Sequence, residues 1–220
     1  MTIGKNQAAL AILAIHPDRP GAAGIAGSIS PEFDAAYARA VIADFDERFG
    51  RADAACSLLW CVPDASAFAP LVSGGDVVEI GADASGARRT QAVEAAHQRG
   101  FSHVAVMALD APHISNEVVY SALGQADQYG VVFGAGDRGA LYLVATKEDG
   151  GVYRDVRFDT EHAATDLIVS AGILGLSCAP LVGNFVVRDA DDLKRLAAYF
   201  ARHKTVESHR TQALLSAAQP

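Results

Sequence analysis

A mostly parallel α/β sheet, covered by helices on both faces and carrying one antiparallel hairpin, is the fold this sequence predicts. Three observations predict it. Continuous apolar runs without polar alternation occur at residues 8–15, 54–62, 77–80 and 103–108, and such runs mark strands buried on both faces. Helical patterns separate them, which gives βαβ units and a doubly wound, three-layer α/β/α arrangement. Further on, apolar runs at residues 131–135 and 140–145 are joined by Gly136-Asp137-Arg138-Gly139, the chemistry of a hairpin turn.

Between the first two strands, Ser30 supplies an N-cap and Pro31 the first helical residue. Phe33, Tyr37, Val41, Phe45 and Phe49 then recur every four residues along one helix face. A second helix spans Ser85 to Arg99 and stops at Gly100. Ser115 caps a third, through Gln125. Thr160 is the expected cap of a helix reaching about Ala171, residues 181–187 are the expected last strand, and Asp189 caps a helix from Ala190 to about His203. The tail from about residue 205 is polar and Ala-rich, either helical or frayed. No repeat or linker interrupts residues 1–220, so a single domain is expected.

Composition narrows the function classes. The net charge of −8 argues against nucleic acid as a partner, because phosphate-backbone binders cluster Lys and Arg. No polybasic membrane patch is present. The apolar amino-terminal stretch is shorter than the ~20 residues of a membrane span and has no signal-peptide flank. A cytoplasmic protein is therefore expected. Cys56 and Cys61 lie in an apolar run and read as buried free thiols, and the three cysteines form no metal-finger spacing.

In an open α/β sheet the ligand sits beyond the carboxyl ends of the strands. Three loops there hold candidate residues. His16-Pro17-Asp18-Arg19-Pro20-Gly21 leads a small-residue loop after strand one, where backbone N–H groups can approach a phosphate; the alternative is a plain surface loop. Leu109-Asp110-Ala111-Pro112-His113 follows the strongest strand. Asp110 is placed there to hold Mg²⁺ or Mn²⁺ against a diphosphate, or merely to cap a turn; His113 reads as a surface-turn histidine. In the hairpin turn, Asp137 and Arg138 are either functional or an exposed pair. Phe158-Asp159-Thr160-Glu161-His162 adds Asp159 and His162 near a helix start.

Taken in order, these segments resemble the small stand-alone bacterial proteins of the glycosyltransferase-A type, which have a nucleotide-diphospho-sugar transferase fold. The resemblance runs from about Leu10 to Leu196. His16-Pro17-Asp18-Arg19-Pro20-Gly21 stands where that family has Lys-Ala-Pro-Arg-Pro-Gly, Gly86-Ala87-Arg88 where it has Gly-x-Arg, and Ala108-Leu109-Asp110-Ala111-Pro112 where it has Gly-Ser-Asp-Cys-Pro. Asp137 through Tyr142 matches its Glu-Asp-Gly-Gly-Tyr-Tyr hairpin, Phe158-Asp159-Thr160 its Trp-Ser-Thr, and Val186 through Leu193 its closing Asp-Val-Asp-Thr-Pro-Glu-Asp-Leu.

The resemblance implies a nucleotide or nucleotide-sugar ligand, with His16, Arg19, Gly21, Arg88 and Arg138 on the nucleotide. Asp110, Asp137 and His162 are the implied catalytic candidates, and Asp110 the metal ligand for Mg²⁺ or Mn²⁺. Three departures accompany it. The family's Lys-Thr-Arg has become Gly24-Ile25-Ala26, one hairpin carboxylate has become Arg138, and the late Asp-Val-Asp has become Val186-Val187-Arg188. Arg138 or Arg188 are the residues that could replace a metal's charge, since a guanidinium binds phosphate bidentately. Two functions follow: a nucleotide-sugar-dependent glycosyltransferase or related nucleotidyltransferase, and a catalytically inactive relative that binds a small ligand or a protein. For a homodimer, Phe45, Phe49 or the terminal helix are the candidate contacts.

Overall fold

The computed structural model describes residues 7–25, 30–81, 84–158, 160–203 and 207–218. Asp159 and Ala26, both singled out above, lie outside the described residues. Among the described residues, seven strands form one sheet: β1 (Ala8–Leu13), β2 (Ser57–Val62), β3 (Asp76–Glu79), β4 (His103–Ala108), β5 (Val131–Ala135), β6 (Leu141–Thr146) and β7 (Cys178–Pro180). Their order across the sheet is β3-β2-β1-β4-β6-β5-β7. Pairings β2–β3, β1–β2, β1–β4 and β5–β7 are parallel, while β6 runs antiparallel to β4 and β5.

Among the described residues, seven α-helices accompany the sheet: α1 (Pro31–Phe49), α2 (Ala65–Phe68), α3 (Ser85–Gln98), α4 (Asn116–Gln125), α5 (Ala163–Ile173), α6 (Ala190–Arg202) and α7 (His209–Ala217). The period-2 alternation of a strand divides the core into two layers. Leu10 and Ile12 of β1 face Tyr37, Val41 and Phe45 of α1, Val119 of α4 and Leu196 of α6. Ala9, Ala11 and Leu13 face the opposite way, toward Ala92, Val93 and Ala96 of α3 and Leu167 of α5. All six β1 residues are buried, so the apolar run without alternation reflects helices on both faces.

Several local expectations hold. Ser30 Oγ accepts the Phe33 N–H and Pro31 opens α1. Ser115 caps α4, Asp189 accepts the N–H groups of Asp191 and Asp192 at the start of α6, and Gly100 takes a φ of 88° just beyond α3. Cys56 and Cys61 are buried, and burial pushes the Cys61 thiol up to about 12.

Three expectations are corrected. Residues 181–187 form no strand: the backbone donors of Leu181, Asn184 and Val187 go to Phe133, Ala135 and Asp110 in turn, so no continuous ladder forms beyond Pro180. Thr160 does not cap α5. Its hydroxyl donates to the Arg157 carbonyl at 2.9 Å and accepts the His162 N–H at 3.2 Å, closing a turn that delays the helix to Ala163. Phe45 and Phe49 are no contact surface, because both are under 2% exposed and pack edge-on to one another. The large exposed apolar side chains among the described residues include Ile168, Val169, Ile173 and Leu174 on or just beyond α5. Among the described residues no helix is long and apolar enough to cross a membrane.

Candidate functional site

The chain leaves β1 toward β2 and β3 on one side, then returns to lay β4 on the other. A crevice must open where the connections diverge, between the carboxyl ends of β1 and β4. A cleft of about 460 Å³ lies there. Its floor is Leu13, Ala14 and Ile15 after β1 and Ala108, Leu109 and Asp110 after β4; its walls include residues 21–24, Ser85, Arg88, Arg89, Phe158 and Arg188.

Each wall has a physical cause. The loop at residues 16–25 winds through successive turns, with Gly21 and Gly24 at φ of 75° and 70°. Non-glycine residues adopt that left-handed region at a cost. Asp34 of α1, 7% exposed, accepts the Ala23 N–H at 3.3 Å and fixes the loop from below. Opposite, α3 begins at Ser85, and among the described residues no side chain caps it; a helix start of this kind presents its first N–H groups and positive dipole end to an anion.

The charged groups of the lining are Arg88, Arg89, Arg188 and Asp110. Arg88 donates to the Ala14 carbonyl at 3.3 Å, while its Nε is buried with no hydrogen-bond partner among the described residues. Arg89 stacks its guanidinium 3.9 Å from the centre of the Phe158 ring. Arg188 donates to the Phe158 carbonyl at 3.2 Å, and its own N–H is held by Asp192 at 3.1 Å. The Val187 N–H donates to the Asp110 carbonyl at 2.7 Å, which fastens the Arg188 segment to the end of β4. Below Asp110, burial and then the Asp110 charge push the Tyr37 hydroxyl upward from its ordinary pKa. Against a chain of net charge −8, this cleft collects three guanidinium groups around one carboxylate.

Of the residues expected from sequence, Asp110, Gly21 and Arg88 meet in this cleft. His16 and Arg19 line an adjoining hollow with Val62, Pro63 and Asp64, and Ile15 borders both. The others stand apart from the lining. Arg195 of α6 pairs with the Asp137 carboxylate. Arg138 is bound by both oxygens of Asp192 at 2.8 Å and lies 3.5 Å from Asp189. His162 is half exposed beside Glu161. Arg138 is also the non-glycine residue with a positive φ, 70°, among the described residues.

Sequence reading gave Arg89 and Phe158 no role in the cleft. A pair of adjacent arginines near the start of α3 was the available signal. His113 is corrected: it is 3% exposed, stacked 4.0 Å from the Phe185 ring, with Nε2 2.8 Å from Asn184 Oδ1. Burial, the largest influence, lowers its pKa to about 4.

Comparison with known proteins places this geometry. Residues 48–160 match the family described as "Uncharacterized protein conserved in bacteria (DUF2064)". The chain belongs to that family. Solved structures extend the likeness of this DUF2064 chain beyond the matched segment. A proposed nucleotide-diphospho-sugar transferase from Desulfovibrio desulfuricans G20 has a TM-score of 0.82 at 19% identity, covering 96% of this chain and 94% of its own. The 4-diphosphocytidyl-2C-methyl-D-erythritol synthase of Anaerococcus prevotii DSM 20548 has a TM-score of 0.58 at 12% identity, over 89% and 96% of the two chains. Rv0371c of Mycobacterium tuberculosis H37Rv, in complex with manganese, has a TM-score of 0.51 at 15% identity, over 86% and 97%. A search of curated protein sequences gives no significant match. The fold of this DUF2064 chain is thus that of the nucleotide-diphospho-sugar transferases.

The Rv0371c neighbour was solved with manganese bound. The donor set here does not fit a resident divalent cation. Among the described residues no three His, Cys, Asp or Glu side chains are grouped to hold a metal ion. Among the described residues, Asp110 is the one carboxylate of the lining; Asp137, Asp189 and Asp192 lie outside it and pair with arginines. Hard cations such as Mg²⁺ and Mn²⁺ need about six oxygen ligands.

Proposed function

We propose that this chain transfers a nucleotidyl or glycosyl group, binding a nucleotide or nucleotide-sugar with its diphosphate in the cleft between β1 and β4. One observation carries the reading: Asp110, Arg88, the residue 21–24 loop and the start of α3 converge on one crevice at the sheet's switch point. In this reading Arg88 and the α3 N–H groups take phosphate oxygens, because charge-assisted bonds to guanidinium and a helix start both favour an anion. Asp110 stands where the reacting phosphorus or anomeric carbon would lie and serves as the catalytic carboxylate. The hollow at His16 and Arg19 adjoins the same crevice and receives the base. The likeness to nucleotide-sugar transferase and cytidylyltransferase folds supports the class of substrate.

A second reading, a binding protein without turnover, is favoured by the ion pairs that hold Asp137 and Arg138 away from the lining. Thermal unfolding with UDP-, GDP-, CDP- and TDP-sugars tests the first reading, since selective binding to the folded state raises the melting temperature. A rise of several degrees with one nucleotide class, and turnover lost in Asp110→Ala while its unliganded melting temperature stays within a few degrees, is the expected result. No rise with any nucleotide would remove the proposal. Stabilisation with no release of nucleotide product would favour the binding protein.

A further inference from the structure

We infer that this cleft holds its phosphate-bearing ligand with arginine charge in place of a divalent cation, Arg188 being the residue that makes the exchange. The inference rests on the reading above, that the ligand carries a diphosphate. It begins from the mismatch between the fold's manganese-bound neighbour and the donors present here.

A diphosphate in a partly enclosed cleft needs two or more positive charges close by, because its own charge loses water's screening on entry. A cation supplies that charge only where several oxygen ligands hold it. This cleft supplies it another way. Arg88 and Arg89 come from the first two turns of α3, and Arg188 from the segment fastened to Asp110, where Arg89 and Arg188 both meet Phe158. A second layer fixes Arg188. Asp192 accepts the Arg188 N–H with one carboxylate oxygen, and both of its oxygens also receive Arg138 at 2.8 Å. The Asp192 side chain is 6% exposed, so the pair is shielded on one side. Arg138 thus acts through Asp192 as a positioning residue. Its left-handed backbone, φ 70° and ψ 21°, brings its guanidinium across the hairpin turn toward α6.

The arrangement also accounts for the nearby carboxylates. Asp137 pairs with Arg195, Asp189 caps α6 and lies near Arg138, and Asp192 is doubly engaged. A cation drawn to this region therefore competes with guanidinium groups for Asp137, Asp189 and Asp192, and would be repelled by three arginines in the lining. Guanidinium forks match phosphate oxygens bidentately and remain charged at every working pH.

Titration calorimetry on the full chain tests this with UDP, GDP, CDP and TDP, each in EDTA and each in excess Mn²⁺. The expected result is binding of at least one of them with the same affinity, within about threefold, in both buffers. Arg188→Gln, which keeps a donor for the Phe158 carbonyl, should then weaken that nucleotide about tenfold or more in EDTA, the loss of one charge-assisted contact. Its melting temperature without ligand should be unchanged. Arg188→Asp should bind in Mn²⁺ better than in EDTA, having exchanged a fixed charge for a metal ligand. Binding by the natural chain only in Mn²⁺ overturns the inference and leaves the proposed function standing. Metal-independent binding that Arg188→Gln does not weaken also overturns it. Absence of binding in both buffers overturns the proposed function and the inference together.

Discussion

Acidification should destabilise the fold through one buried histidine. His113 follows Asp110 by three residues, is 3% exposed, and lies flat against Phe185 with Tyr199 edge-on. Its Nε2 meets Asn184 Oδ1, while Nδ1 is buried without a partner among the described residues. Burial, reinforced by Arg195 and Arg48, lowers its pKa from 6.5 to about 4. The unfolded chain therefore takes up a proton that the folded chain refuses, and stability falls as pH drops below about 6.5, levelling off below about 4. At about 1.4 kcal/mol per pH unit the full loss is roughly 3 kcal/mol, most of it reached by pH 4.5. Urea unfolding at pH 7.5 and 4.5 measures it, with His113→Phe as control: the ring stays but the titration goes. The wild-type chain should lose some 2–3 kcal/mol more than the variant between the two pH values, an estimate from the same linkage. Equal losses would show that His113 is not the group responsible.

Other expectations concern the frame around the cleft. Arg48, with a 5% exposed side chain, donates to Asn116, to the Pro112 and Ile114 carbonyls and to Ser208, tying the loop after Asp110 to the start of α7. Arg48→Met strands those acceptors and should lower unfolding free energy by roughly 2–4 kcal/mol in urea titration. Gly86 in the first turn of α3 leaves a Cβ only 2.7 Å from the Tyr153 carbonyl. Gly86→Ala should therefore reduce stability by about 1–3 kcal/mol, outweighing the roughly 1 kcal/mol that alanine adds to an open helix; a raised melting temperature would contradict this. Thiol titration of the native chain should modify Cys178 first, since Cys56 and Cys61 are buried and Cys61 is pushed up to about 12; rapid reaction of all three would be inconsistent with the packing.

Much of the sheet was legible because its signals are local. A strand buried on both faces reads as an unbroken apolar run, and residues 8–15 and 103–108 do so. Ser30-Pro31, Ser115, Asp189 and Gly100 are chemical instructions to start or stop a helix, and each acts where it stands. What failed depends on distant partners. Residues 181–187 have the composition of a strand, yet their donors divide between β5 and the end of β4. His113 looked like a turn residue because nothing nearby in sequence announces Phe185 and Tyr199 above it. In the site, Asp110, Gly21 and Arg88 could be found, since each follows or precedes a recognisable element. The partners that hold Asp137 and Arg138 lie on α6, more than 50 residues away, and no local pattern predicts them.

A crystal structure of the chain with a nucleoside diphosphate tests the central claim most directly. The diphosphate should lodge between Arg88, Arg188 and the first N–H groups of α3, beside Asp110, with the base toward His16 and Arg19. A nucleotide seated elsewhere on the molecule, leaving Asp110 and Arg88 without contact, would contradict the account.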